Sequence, residues 1–462
     1  MGGPVTAGAP VAARRGGAVT AALTEIDGRR VAWFRLEGGK HRGAIGPVEG
    51  QVIERTFRLA LDAGIPVVGE IATSGADVSE GLASLVAWGR VAKALSDASG
   101  TVPVILTVFG PCVGGPALLL GLADHVVMTA DAYAYVNGPR AAASFTGVDT
   151  SHTDLGGAEV HANRSGVASM VVVDDAQAAS TVADLLSYLP SNHLDEPPFW
   201  PTDDPLDRPS KVAAGVVPER PTASYDVRTV IGDVCDADTF LEVRAALATN
   251  VVTGYARLGG MPVGVIANQP RSQAGTLDIE ASRKAARFVQ CCDAFGVPLL
   301  TFVDCGGFRP GRDLEWRGMI RHGAELVHAY ANATVPRLCV VLRKAYGGAY
   351  IALDSRGLGN DLCLAWPKAE IAVMGAPGAV AVLQRKTLAA IDDPQERARV
   401  QAELEAEYTA QLCTPVVAAE RGYVDDVIDP NDTRRLLTAG LAALRNKRAT
   451  PRSRAKHSNT PL

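Results

Sequence analysis

Two glycine pairs stand where backbone chemistry is possible: Gly114–Gly115 in "VPVILTVFGPCVGGPA" (102–117) and Gly347–Gly348 in "VPRLCVVLRKAYGGAY" (335–350). Each follows an apolar, β-branched run that reads as a strand, and each feeds a run that reads as a helix. Glycine at such a corner has a structural use, because it takes backbone conformations that other residues resist. It has a chemical use as well. The first amides of a helix have no backbone acceptor, and with the helix dipole behind them they suit an anionic oxygen. With no Cβ in the way, a substrate carbonyl can approach. One such corner suits the enolate of a thioester and the other an enolate-like partner, both stabilised by N–H donors rather than by side chains. The eight histidines (41, 125, 152, 161, 193, 322, 328 and 457) form no recurring cluster with an acid or a nucleophile.

The two corners belong to an internal repeat. "GIPVVGEIATSG" (64–75) matches "GVPLLTFVDCGG" (296–307), and the offsets hold: Pro66 to Pro298 is 232, Pro103 to Pro336 is 233, Gly114 to Gly347 is 233. A strand after a glycine turn opens each half, "DGRRVAWF" from 27 and "GGMPVGVI" from 259. Helical runs, "QVIERTFRLALDAG" and "ASRKAARFVQCCDAFG", precede the matched segments. Four matches in one order point to duplication. Apolar strands alternating with helices predict an α/β fold with helix-covered sheets. Between the halves, residues 197–221 hold seven prolines, which excludes a helix or central strand and predicts an extended linker. The expected organisation is a flexible N-terminus (1–19) and two domains, 20–210 and 211–462.

With 462 residues the chain is long enough for two cores. A net charge of −5 argues against a nucleic-acid partner, and no apolar stretch reaches the length of a membrane span. The opening residues lack the pattern of a signal peptide. Eight scattered cysteines with no C-x-x-C pair favour buried, reduced thiols and a cytoplasmic address. The C-terminal run carries six Lys or Arg between 445 and 456, which reads as a solvated tail or as a segment packed on another subunit.

The segments "GPCVGGPALLLGLADHVVM", "LGGAEVHANRSGVA", "LLSYLPSN", "ANQPRSQAGTLDIEASRKAARFVQCCDAFGVPLL", "RKAYGGAYIAL", "AWPKAEIAVMGAPGAV" and "AAERGYVDDVIDP" together carry a resemblance. From about residue 20 onward the chain resembles the carboxyltransferase β subunit of biotin-dependent acyl-CoA carboxylases, of the acetyl-/propionyl-CoA carboxylase type. The resemblance implies two tandem crotonase-like (ClpP/crotonase) βαβ-superhelix domains, assembled as a hexamer with sites shared across a dimer interface. It implies transfer of a carboxyl group from carboxybiotin to the α-carbon of a short-chain acyl-CoA, giving malonyl- or methylmalonyl-CoA, with the biotin itself acting as base. Carried over by motif, Gly114 and Gly115 would hold the thioester oxygen, and Gly348 and Ala349 the ureido oxygen. Gly75, Ala76, Gly156, Gly157, Tyr350 and Ile351 would contact the acyl-CoA; Phe308, Pro310, Gly311 and Tyr346 the biotin. His161 would be the histidine nearest the coenzyme A. Isoleucine at 351 resembles members that accept acetyl-CoA, where propionyl-type members resemble one another in an aspartate. No biotinylation motif and no ATP-grasp loop is evident, so biotin and ATP are expected on a partner, a biotin carboxylase/biotin carrier α subunit; no metal is expected.

Departures from the family pattern fall in loops. Asp77 in "TSGADVSEG" (73–81) stands where an arginine is expected, Arg42 in "RGAIG" (42–46) where a glycine is, and Arg309 in "GGFRPG" (306–311) where an apolar residue is. The usual helical N-terminal extension is shortened. Three alternatives stay open: a biotin-dependent decarboxylase subunit, which shares the fold and both corners; a hydratase or hydrolase using Glu80 or Ser79; and a non-catalytic scaffold paralogue, which Asp77 and Arg309 motivate.

Overall fold

The computed structural model describes residues 12–38, 40–218, 220, 222–447, 459 and 461. Contacts divide the chain into two units. One runs to Pro198 and takes in Val243–Leu247 and Ala294–Gly296; the other holds Phe199–Glu242, Ala248–Asp293 and the chain from Val297. The stretch 199–210, expected with the first domain, packs in the second unit. There Trp200 N donates to Gly260 O (3.1 Å), and the buried Arg434 guanidinium bonds the carbonyls of Asp204 and Pro205. The proline-rich segment, expected to exclude a helix, holds a short one, Lys211–Val216, in a stretch between Pro209 and Pro218, and Glu219 and Pro221 lie outside the described residues.

The first unit is built on one sheet of eight strands: β1 (Ala12–Gly16), β2 (Val19–Ile26), β3 (Arg29–Leu36), β4 (Val67–Thr73), β5 (Val104–Val113), β6 (His125–Thr129), β7 (Tyr133–Tyr135) and β8 (Met170–Val172). The order is β1-β2-β3-β4-β5-β6-β8, with β7 paired to the end of β5. β1 to β3 are antiparallel and the rest parallel. β1 lies inside the segment expected to be flexible; its backbone is paired from Ala12↔Leu23 to Gly16↔Val19, so order begins before residue 20. Residues 1–11 are outside the described residues. β4 is buried along its whole length, as a parallel strand covered on both faces must be. Helices Pro47–Ala63 and Leu82–Ala98 cover one face and helix Asp175–Tyr188 the other, and Phe34, Leu36, Ile53, Phe57, Leu106 and Leu95 form the centre of the core. Each such side chain contributes about 1.5–3 kcal/mol by leaving water.

The second unit repeats the plan with β9 (Leu241–Glu242), β10 (Val251–Leu258), β11 (Met261–Asn268), β12 (Leu299–Cys305), β13 (Arg337–Tyr346), β14 (Leu362–Ala365), β15 (Glu370–Ala372) and β16 (Asp426–Val427). Its order, β16-β14-β13-β12-β11-β10-β9 with β15 on the end of β13, reproduces the first sheet from β2 onward. Even the irregularities recur. The β4–β5 register shifts between Ile71 and Thr73, and the β12–β13 register between Val303 and Cys305. Each shift lies just before the loop that passes a glycine pair, and it re-aims that loop. All eight cysteines are buried and free, including neighbours Cys291 and Cys292 on helix Ile279–Ala294. The basic tail is outside the described residues from 448 on; its first turn is anchored by Lys447 Nζ on Asp361 (2.8 Å) and on Val335 O (2.9 Å).

Candidate active site

At each glycine pair the first glycine makes the turn and the second opens the site. Gly114 has φ +76° and Gly347 φ +63°, the left-handed region that only glycine enters without strain. The Gly114 N–H is not free: it donates to Tyr135 O on β7 at 2.9 Å. That amide is spent on β7, and what Gly114 brings to the corner is the turn. The next residue, Gly115, begins a single 3₁₀ turn, Gly115–Ala117, and its amide precedes any helical acceptor. In the second unit helix Gly347–Ala352 leaves the first-turn amides of Gly348 and Ala349 without helical acceptors. Ala349 corresponds to Pro116, which has no N–H. So the second corner offers two consecutive amides where the first offers one.

A second loop flanks each corner. In the first unit Ile45 and Ala76 form an isolated parallel bridge, with Ile45 N donating to Gly75 O (2.8 Å) and Asp77 N to Ile45 O (3.0 Å). A parallel ladder turns the intervening peptide outward, so the Ala76 N–H points away from Ile45, towards the end of β5. There Gly75 Cα lies 3.6 Å from where a Cβ on Gly114 would stand. The second unit has the same device. Leu277 bridges Phe308, Leu277 N donates to Gly307 O (3.1 Å), and Arg309 N donates to Leu277 O (2.8 Å). The Phe308 ring lies 3.7 Å from the place of a Cβ on Gly348. The loop of Gly75 and Ala76 thus flanks the Gly114–Gly115 corner, and the loop of Gly307 and Phe308 flanks the Gly347–Gly348 corner.

The remaining candidates separate into open and packed. Ile351, 44% exposed, faces a cavity of about 420 Å³ lined also by Gly348, Val373, Leu412, Val417 and Tyr423. Tyr350 is buried, its phenol pushed up by burial beside Cys363 and Cys339. The Tyr346 ring lies against Gly375 and its hydroxyl bonds Glu370 Oε2; burial and that carboxylate raise its pKa. Pro310 and Gly311 are exposed at the start of helix Arg312–Trp316. Gly156 and Gly157 are buried, and their lack of a Cβ is a packing need: at Gly156 it would stand 2.0 Å from Ala134 O. His161 does not present a free ring nitrogen. Nε2 contacts Ala134 O (2.8 Å) and Nδ1 contacts Ser165 Oγ (2.7 Å), so it clamps β7. Ser79 Oγ donates to Asp77 Oδ1 at 2.6 Å, within the turn that Asp77 caps.

Several contributors went unread in the sequence. Tyr135 holds the Gly114 amide, and its hydroxyl meets His152 Nδ1 at 2.7 Å; the Tyr-Ala-Tyr alternation was its one signal. Asp304, buried at the end of β12, accepts from Arg343 Nε (3.0 Å) and Tyr225 Oη (3.0 Å) and fixes the ends of β12 and β13. Burial pushes its carboxyl upward, and Arg343 opposes that. Trp88 packs its indole against Gly115. Among the described residues no group of three or more His, Cys, Asp or Glu is placed to hold a metal, and no helix is long and apolar enough to cross a membrane.

The carboxyl transferase domain model matches residues 7–460. The propionyl-CoA carboxylase carboxyltransferase subunit of Haloferax mediterranei is 44% identical over 440 residues, spanning 95% of this chain and 84% of the relative. The methylmalonyl-CoA carboxyltransferase 12S subunit of Propionibacterium freudenreichii subsp. shermanii is 44% identical over 419 residues, spanning 91% and 79%. A crystal structure of transcarboxylase 12S, a hexamer with methylmalonyl-coenzyme A and methylmalonic acid bound, superposes with a TM-score of 0.92 at 42% identity, covering 96% of this chain and 85% of that one. Two crotonase-like units, each ending its central strand in a glycine turn, and a family match over nearly the whole length lead to one conclusion: the chain belongs to the carboxyl transferase domain family.

Proposed function

We propose that this carboxyltransferase moves a carboxyl group from carboxybiotin, carried by a separate biotin carboxylase/biotin carrier subunit, to the α-carbon of a short-chain acyl-CoA. The observation that carries the reading is the pair of corresponding corners whose Gly115, Gly348 and Ala349 amides lie in the first turn of a helix, ahead of any helical acceptor. Bound carboxybiotin supplies the carboxyl group and, once that is released, the ureido nitrogen that removes the α-proton. The chain's own work is electrostatic. Gly115 and Ala76 direct amides at the thioester oxygen as it gains enolate charge, and Gly348 and Ala349 do so for the ureido oxygen. A donor aimed at developing charge is worth about 3 kcal/mol of barrier. Gly348 is exposed and the nearest atom from outside its own helix, in the Phe308 ring, lies 3.7 Å from its missing Cβ, so the space before it fits a planar ring carbonyl.

Ile351 and its apolar cavity support acetyl- and propionyl-CoA over long acyl chains. The assembly is a hexamer of chains of 48.2 kDa, by similarity to the hexameric transcarboxylase 12S, and light scattering measures its mass. The test is carboxylation of acetyl-, propionyl- and butyryl-CoA by the chain with its biotin-carrying partner, ATP and labelled bicarbonate. Label is expected in malonyl- and methylmalonyl-CoA; labelled carboxybiotin with no labelled thioester would refute the reading.

A further inference from the structure

The departures Asp77 and Arg309 occupy the same place in the repeat. They are 232 residues apart, and so are His41 and Gln273, the residues each of them touches. His41 Nδ1 meets Asp77 Oδ2 at 2.7 Å; Arg309 Nη1 donates to Gln273 Oε1 at 2.9 Å. The backbone beneath is the same in both halves. His41 and Arg42 are left-handed (φ 50° and 54°), as are Gln273 and Ala274 (φ 49° and 52°). Gly43 and Gly275 follow with φ 71° and 69°, and a Cβ on either would strike a carbonyl at the end of β4 or β12, that of Ala72 (2.2 Å) or of Asp304 (2.6 Å). Non-glycine residues in this region are strained, and two consecutive ones at both copies mark a loop held from outside itself.

We propose that His41–Asp77 and Gln273–Arg309 are equivalent positioning pairs. Each ties the loop before its unit's first covering helix to the loop after the strand at the register shift. Each thereby holds the peptide one residue back, Ala76 or Phe308, at its glycine corner. The bridge fixes residues 75–77 and 307–309 from one edge through backbone bonds; the side-chain pair locks the same residues from above. Asp77 is the better anchored, since its carboxylate also accepts from Ser79 N (2.9 Å) and Ser79 Oγ (2.6 Å) and caps the turn Val78–Glu80. The two solutions carry opposite charge, so charge at position 77 or 309 is not the requirement. A donor facing an acceptor across the loop is. This inference rests on the carboxyl-transfer reading for its kinetic consequence and on the repeat for its structural one.

The test transplants one pair into the other half. Asp77→Arg removes the carboxylate that bonds His41 and sets a guanidinium against the imidazole, and kcat for acyl-CoA carboxylation falls about 10- to 100-fold, as misplacement of a catalytic group does. His41→Gln with Asp77→Arg rebuilds the Gln–Arg pair, and kcat returns to within about threefold of wild type, the coupling a double-mutant cycle reads. KM for acyl-CoA moves less than kcat, which a loss of ligand contact at position 77 would reverse. Hydrogen exchange of the 74–80 amides is followed in the same assembled protein and needs no turnover: protection is lost in Asp77→Arg and regained in the double variant. The reciprocal variant Gln273→His with Arg309→Asp serves if Asp77→Arg fails to fold. A double variant no better than the single one in both kcat and exchange overturns the proposal. Exchange rescue in a chain that transfers no carboxyl group upholds the pair and refutes the catalytic reading instead.

Discussion

The indole of Trp88 lies so close to Gly115 that a Cβ at 115 would stand 2.8 Å from its ring, whereas a Cβ at the equivalent Gly348 would stand 3.7 Å from the Phe308 ring. The two glycines are bare for different reasons. Gly115→Ala must push Trp88, which packs on the first unit's core, and overpacking of this kind costs about 1–3 kcal/mol. Its melting temperature falls along with its activity. Gly348→Val leaves the melting temperature near wild type while transfer drops about 10²-fold or more, because the new side chain fills the space before the amides. Thermal melts and initial rates on the two variants separate these outcomes; an active Gly348→Val enzyme removes the backbone-donor idea.

Ile351 gives the acyl-chain prediction. It is 44% exposed and faces the cavity beside Gly348, so it is not spent in the core. Apolar pockets discriminate by about 1–3 kcal/mol per methylene, so the preference is graded. kcat/KM declines from acetyl- and propionyl- to butyryl-CoA, and Ile351→Asp reorders that series. An unchanged ranking assigns Ile351 to packing alone.

The Asp77 carboxyl is held below its usual range by bonds from Ser79 and then His41. A depressed carboxyl stabilises the fold above its unfolded pKa, about 3.9, and that stabilisation is lost as the pH falls through the folded value. Asp77→Ala therefore melts below wild type at pH 7, and the gap narrows once the pH falls below the unfolded value of about 3.9 and through the lower folded one. A gap independent of pH would assign the effect to something other than the ionised carboxylate.

Burial pushes the Cys112 and Cys235 thiols up to about 12, and the other six cysteines are buried too. Thiolate is the reactive form. The native chain should resist a disulfide reagent at pH 8 and release eight equivalents after denaturation; a fast-reacting equivalent in the native protein would contradict the placement.

Much of this was legible in the sequence, for physical reasons. A duplicated unit repeats its strand pattern at constant offset, so the two sheets, their covering helices and the glycine corners followed from Pro66, Pro103 and Gly114 and their copies. Pro116, which removes an amide that Ala349 keeps, was equally visible and went unread. So did the common offset of Asp77 and Arg309, read as separate departures rather than as one repeat position. What the sequence hid were contacts between distant segments. Tyr135 taking the Gly114 amide, His161 clamping Ala134 O, and the packing of 199–210 in the second unit depend on which surfaces meet, and no local pattern encodes that.

The central claim is that backbone amides at Gly348 and Gly115 carry carboxyl transfer with no side-chain base. Single-turnover transfer from the partner's labelled carboxybiotin to propionyl-CoA, compared between wild type and Gly348→Val, tests it most directly. The account predicts that wild type delivers the label to methylmalonyl-CoA and that folded, assembled Gly348→Val retains it on biotin. Transfer by the variant at the wild-type rate would contradict it.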